Sequence, residues 1–307
     1  MSADFDPFAN KPDIAPATRK LYTFNLMKLN GKKPIKNLNF LSKPEIISYL
    51  DELKANTRRT YIIAIVSSLK DRPEARYKKL YNKYYQMLVD INTELKSNTT
   101  KTEKQKDNWL SQEEVMEKCE SLAEIVNEIK GKRKITPDQY TQLLHAVILG
   151  LYCLQPPRRN NDYTNCYMVK KVPEDTEHNY LDIKRWEWVF NNYKTKKTYK
   201  QMKLPVPEKL TNLLKVYIQY HPFAKELKKA SFEPVPFLMN QDGRVIDTST
   251  EMTRSLNKIF GKKVGSSLLR NIFLTDKYSD SAKEMADDVK AMGTSTAVAN
   301  TNYIKTD

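Results

Sequence analysis

Apolar residues return at helical spacing along most of the chain and alternate in strand-like fashion in one stretch only. In KPEIISYLDELK, Ile46, Ile47, Leu50 and Leu53 recur on one helical face, and Ser42 stands where it can cap the segment. TRRTYIIAIVSSLK reads as a second helix with an apolar middle, and Pro73 separates it from a third. In that third helix Leu80, Tyr84, Met87, Leu88, Ile91 and Leu95 form a single stripe. Tyr77, Tyr81 and Tyr85, set among Lys78, Lys79 and Lys83, flank the stripe and are explained mainly by helix packing. Residues 1–14 are polar and Pro-containing and read as a flexible N-terminus, so residues 15–98 are expected to be an all-helical domain.

The stretch SNTTKTEKQKDN lacks apolar periodicity, and residues 99–108 read as a linker. Beyond it, residues 109–307 form a second domain. Ser111 with Glu114, and Thr136 with Pro137 and Gln139, have the spacing of helix starts. YLDIKRWEWVFNNYKTKKTYKQMKLPVP reads as two strands around a polar, lysine-rich turn, after which helices resume in PEKLTNLLKVYIQY and continue to the end. The expected fold class is mainly α with a small β-sheet: a helical domain followed by a larger α+β domain.

At 307 residues and 40% hydrophobic, the chain can bury a sizeable core. Its 52 Lys and Arg exceed its 37 Asp and Glu by 15, which points to a polyanionic partner. No apolar run approaches a membrane span, and the start MSADFDPFANKPD lacks the pattern of a secretory signal, so nucleic acid fits better than a membrane and an intracellular, non-secreted protein is expected. Cys119, Cys153 and Cys166 form no C-x-x-C pair, so no disulfide framework or zinc knuckle is indicated and they read as reduced packing residues. No phosphate-binding Gly-rich loop is present, and no cofactor or metal is implied.

Transfer of a DNA phosphodiester without metal or ATP needs a nucleophile, cations on the non-bridging oxygens and an acid for the leaving 5′ oxygen. The second domain offers these in order. PPRRNNDY holds Arg159 with Asp162 three residues on, NYKTKK holds Lys194, GSSLLRNIFLT holds Arg270, and Tyr303 stands ten positions after Gly293. Arg58 and Arg59 fall in the first turn of a helix, where cations oppose the helix dipole, so a phosphate partner is an expectation for them, as it is for Arg158, Lys196 and Lys197.

These boxes resemble those of the tyrosine recombinases, the phage-integrase-type enzymes that break and rejoin DNA, and the resemblance covers most of the chain. Arg159-Asn160-Asn161-Asp162 is similar to the family's R-x-x-[E/D] turn, and Lys194-Thr195-Lys196 to its β-turn K-T-G. Ser267-Leu268-Leu269-Arg270 resembles its H-x-x-R box, and Met292-Gly293-Thr294-Ser295, with Tyr303 nine residues after Thr294, its L-G-H-S box. The resemblance implies a helical core-binding (SAM-like) domain and a catalytic domain closing around double-stranded DNA. It also implies attack by Tyr303 to give a 3′-phosphotyrosyl link, phosphate clamping by Arg159 and Arg270, and acid catalysis by Lys194. Assembly as a dimer or tetramer on DNA follows from it, in the nucleus or a viral replication compartment if the host is eukaryotic.

Ser267 and Thr294 stand where the family carries histidines, which implies slower chemistry, since a hydroxyl is a poor base near neutral pH. His145, amid apolar helix residues, reads as structural, and His178 and His221 as surface or turn residues. Two other functions fit the same features: a type IB topoisomerase, and a non-catalytic DNA-binding protein derived from a recombinase.

Overall fold

The computed structural model describes residues 5–97, 101–293, 296, 299 and 300. The chain divides into two compact units, residues 1–100 and 101–307. The described residues are mainly helical with one small mixed sheet.

In the first unit, four helices, α1 (Pro16–Leu29), α2 (Pro44–Asp51), α3 (Ala55–Leu69) and α4 (Ala75–Ser97), enclose one apolar core. The centre of α3, Tyr61 to Leu69, is buried almost all round, and α4 buries Tyr84 and Ile91 of the stripe its sequence predicts together with Tyr77, which the sequence places on the flank. Buried tyrosines keep their hydroxyls bonded, Tyr84 to the Leu41 carbonyl at 2.8 Å and Tyr77 to Asn39 Oδ1 at 3.2 Å. Burial pushes the Tyr84 phenol up to about 12.

Two expectations for this unit need correction. Ser42 does not cap α2: its hydroxyl donates to the Asn39 carbonyl within a short 3₁₀ turn, Asn39–Ser42, and Lys43 occupies the cap position ahead of Pro44. Nor are residues 5–14 a flexible lead. Phe8 is fully buried, Asp6 pairs with Arg19 at 2.8 Å, Asn10 donates to the carbonyls of Ser67 and Lys70, and Arg72 holds the Pro7 carbonyl at 2.9 Å. One aromatic anchor among polar residues gives no periodicity, so the pattern does not reveal it.

The second unit opens with α5 (Glu103–Asn108), inside the stretch expected as linker. Thr102 and Gln105 close a reciprocal capping box there, which lets a polar sequence hold one and a half turns. The same device starts α6 (Gln112–Ile129) at Ser111 and α7 (Pro137–Cys153) at Thr136, as their sequences predict. Helix α7 is the axis of the unit, with Leu143, Leu144 and Ala146 to Tyr152 all buried. After it come α8 (Asn160–Thr164), β1 (Cys166–Val169), β2 (Asn179–Asp182), β3 (Glu187–Phe190), α9 (Lys196–Tyr199), β4 (Met202–Pro205), α10 (Glu208–Tyr220), α11 (Ala224–Leu227), β5 (Val235–Pro236), α12 (Ser249–Phe260) and α13 (Ser266–Ala291).

The sheet has five strands rather than two, in the order β4-β3-β2-β1-β5. Only the β1–β2 pair is parallel. The stretch read as two strands holds three, β2 to β4, and β5, with two residues, has no room for alternation. Trp188 and Phe190 point from β3 into the main core beside α7, whereas Val169, Tyr180 and Val189 form a small cluster on the other face. His221, expected at a surface turn, is buried at the end of α10, where Nδ1 accepts the Phe223 N–H and desolvation holds the imidazole down to about 4. Cys119 and Cys166 are buried and all three cysteines are free thiols.

The packing of the N-terminal segment is testable. Phe8→Ala is expected to lower stability by about 3 kcal/mol in denaturant unfolding, the ordinary cost of emptying a buried phenylalanine site. An unchanged midpoint would show that the segment does not belong to the core.

Candidate functional site

The second unit brings the two arginines of the sequence boxes into one small region. Arg159 stands at the start of α8, directly after the loop that leaves α7, and Arg270 lies in the second turn of α13. Arg270 is anchored on its own helix, Nε donating to the Ser266 carbonyl at 3.2 Å and Nη2 to Ser267 Oγ at 3.0 Å. Partial burial lowers its pKa, Arg159 lowers it further by repulsion, and Asp162 and Tyr152 act in the opposite direction. Two guanidinium groups that feel each other in a half-buried place form a site with excess positive charge. Among the described residues Arg159 has no side-chain hydrogen bond or ion pair, so its donors remain open to a ligand.

Its neighbour Arg158 is used up structurally. Its Nε donates to Asp162 Oδ2 at 2.9 Å, its guanidinium lies 3.8 Å from the centre of the Phe190 ring, and the Tyr193 ring sits at 5.2 Å. Asp162 is itself buried, and desolvation raises its pKa while Arg158 and Arg159 pull it back. Arg158, expected as a DNA contact, is thus a packing residue that fixes the turn. Asp162 is paired with Arg158, four residues before it, while Arg159 has no side-chain partner among the described residues.

Lys194 lies in the connection between β3 and β4, directly after Tyr193, whose ring is against Arg158. That connection is longer than a simple turn. It contains α9, and Tyr193 closes it by donating to the Lys200 carbonyl at 2.7 Å. Lys194, Lys196 and Lys197 are exposed, with Lys196 Nζ bonded to Asn192 Oδ1 at 3.1 Å.

A residue that the motifs do not include ties these pieces together. Asn179, the first residue of β2, is fully buried. Its amide donates to the carbonyls of Asp162 and Asn192, at 2.9 and 3.0 Å, and its side-chain oxygen accepts the N–H groups of Asn191 and Asn192 at 2.9 and 2.8 Å. One side chain therefore holds the arginine turn and the lysine connection in register. An Asn opening a strand is the available signal, because asparagine is depleted in strands. Asn160 supports the other flank, accepting the Tyr152 hydroxyl at 2.6 Å and donating to the Ser249 carbonyl and Thr253 Oγ1 of the α12 start.

Thr294 and Tyr303 lie outside the described residues. Arg58 and Arg59 are engaged within the first unit: Arg58 pairs with Asp51 at 3.3 Å and Glu94 at 3.7 Å, and Arg59 donates to Asn92 Oδ1 at 2.6 Å. They brace α3 against its neighbours. Among the described residues no group of three or more His, Cys, Asp or Glu side chains is placed to hold a metal ion, and no helix is long and apolar enough to cross a membrane. No protein-family model, curated protein or solved structure matches this chain.

Asn179→Ala strands four backbone groups at once, two of them buried and two half-buried. It is expected to cost about 3 kcal/mol or more, since each buried polar group without a partner costs about 1 to 3 kcal/mol. Urea unfolding reads this directly, and a loss below about 1 kcal/mol would mean that the two loops hold their places without it.

Proposed function

We propose that this chain is a DNA strand transferase of the tyrosine-recombinase type, acting on duplex DNA through a phosphotyrosyl intermediate. The observation that carries the reading is the pairing of Arg159 and Arg270, two cations far apart in sequence that share one half-buried place with Arg159 unbonded. Guanidinium suits a phosphate clamp because it is always charged and offers forked donors. Burial strengthens such contacts, since water no longer competes for them. Lys194, on the connection that Asn179 ties to the same turn, supplies the proton for the leaving 5′ oxygen. Tyr303 enters on its spacing from Gly293 and is the nucleophile. The first unit then acts as the helical core-binding (SAM-like) domain and the second as the catalytic domain, with copies assembling as a dimer or tetramer on DNA. In a eukaryotic host the work takes place in the nucleus or a viral replication compartment.

A second reading, a DNA-binding protein without strand transfer, is favoured by the bond from Arg270 to the Ser267 hydroxyl, a group that cannot serve as a base as an imidazole does. A nicked duplex that traps the covalent step separates the two. The expected result is a detergent-resistant protein–DNA adduct with the wild type and none with Tyr303→Phe. Arg159→Ala should slow adduct formation about 100- to 1,000-fold. Equal yields for wild type and Tyr303→Phe would leave the non-catalytic reading.

A further inference from the structure

The sheet has two ends, and the candidate site uses only one. Asn179 of β2, Phe190 of β3 and Met202 of β4 lie at the site end, while Val169, Asp182, Glu187 and Pro205 lie at the other. Strands of four residues separate the ends by about 10 Å. At the far end, on the face that carries Val189, lies an open basin of about 500 Å³. Lys170, Lys171, Lys184, Arg185 and Lys203 surround it, against the carboxylates of Asp182 and Glu187. A second basin of about 530 Å³ shares Lys170, Lys171 and Lys184 and extends to Phe232.

The cations are presented rather than merely present. Asp182 is buried, and its Oδ1 accepts the N–H groups of Lys184 and Arg185, both at 2.9 Å, so the β2–β3 turn is fixed with those two side chains outward. Trp186 completes the turn with a φ of 54°. Arg185 reaches the Asp182 carboxylate only at 3.9 Å. Lys170 donates to the Lys229 carbonyl. Among the described residues the side chains of Lys171, Lys184 and Lys203 make no hydrogen bond or ion pair. Cations gathered on one concavity repel one another, and a solvated lysine face gains nothing from such convergence. A polyanion laid across the basins removes the repulsion and releases counterions.

We propose that this far-end cradle holds a segment of DNA duplex separate from the one at Arg159 and Arg270, so that one copy of the chain can bridge two duplexes. Two adjoining basins with shared lysines suit an extended phosphate backbone better than a single phosphate. The cradle does not depend on strand transfer: it uses none of the residues of the candidate site.

The test is capture of a second duplex. Full-length protein is bound to a bead-immobilised duplex, washed, and offered a fluorescent duplex. The wild type is expected to retain the second duplex. The exposed triple variant Lys171→Gln, Lys184→Gln, Arg185→Gln should retain at least about ten-fold less, bind the first duplex within about three-fold of wild type, and lower the slope of log affinity against log salt for the second by about 2 to 3. Its adduct yield on nicked DNA should be unchanged, which also shows that it folds. Wild-type protein that captures no second duplex, or a triple variant that captures as well as wild type because paired copies do the bridging, would overturn the cradle. Capture of poly-glutamate in preference to duplex would overturn it as well. Bridging that persists in a protein forming no adduct supports the cradle while removing the strand-transfer reading.

Discussion

A single buried amide carries the geometry of the candidate site. The two loops that hold Arg159 and Lys194 are separated by three strands' worth of sequence, and neither belongs to a regular ladder where they meet. Asn179 supplies both donors and both acceptors needed there, so the carbonyl of Asp162 and the chain at Asn191 and Asn192 are satisfied without water. A buried polar group of this kind contributes little net stability when paired and costs much when its partners are lost. Its consequence is specificity: the arginine turn and the lysine connection have one relative position rather than several.

Around that fixed point, charge is divided between a closed pair and an open one. Arg158 and Asp162 neutralise each other beneath the surface, with Phe190 covering the guanidinium. Burying an ion pair is costly, and here only Asp162 Oδ2 is bonded, to Arg158, while Oδ1 is buried without a hydrogen-bond partner among the described residues, so desolvation still raises the carboxyl's pKa. Arg159, the next residue, makes no side-chain hydrogen bond or ion pair among the described residues, although its charge is felt by Asp162. Together with Arg270, which leans on the Ser267 hydroxyl rather than on an acid, it leaves excess positive charge in a half-buried place.

The sequence reveals long elements and hides short ones. The stripe of α4 and the capping boxes at Ser111 and Thr136 are strong because they repeat a period or a paired spacing over many residues. β5 has only two residues and no room for alternation, α5 is polar throughout, and the anchor at Phe8 is one side chain. The candidate site divides in the same way. The choice of Arg159 over Arg158 follows from spacing, and the i, i+4 reach from Arg158 to Asp162 gives that choice a physical reason. The role of Asn179 does not follow from spacing, since its partners are backbone groups from segments far along the chain. Arg58 and Arg59 look free in sequence because their partners, Asp51, Asn92 and Glu94, come from other helices.

On the proposed reading Arg159 and Arg270 form one phosphate clamp, beside the pair that Arg158 makes with Asp162. The direct measurement is a structure of the Tyr303→Phe chain bound to a duplex, which stops before the covalent step. The account predicts one backbone phosphate within hydrogen-bonding distance of both guanidinium groups, with Arg158 still on Asp162. A duplex whose phosphates contact neither arginine, or contact Arg158 released from Asp162, would contradict it.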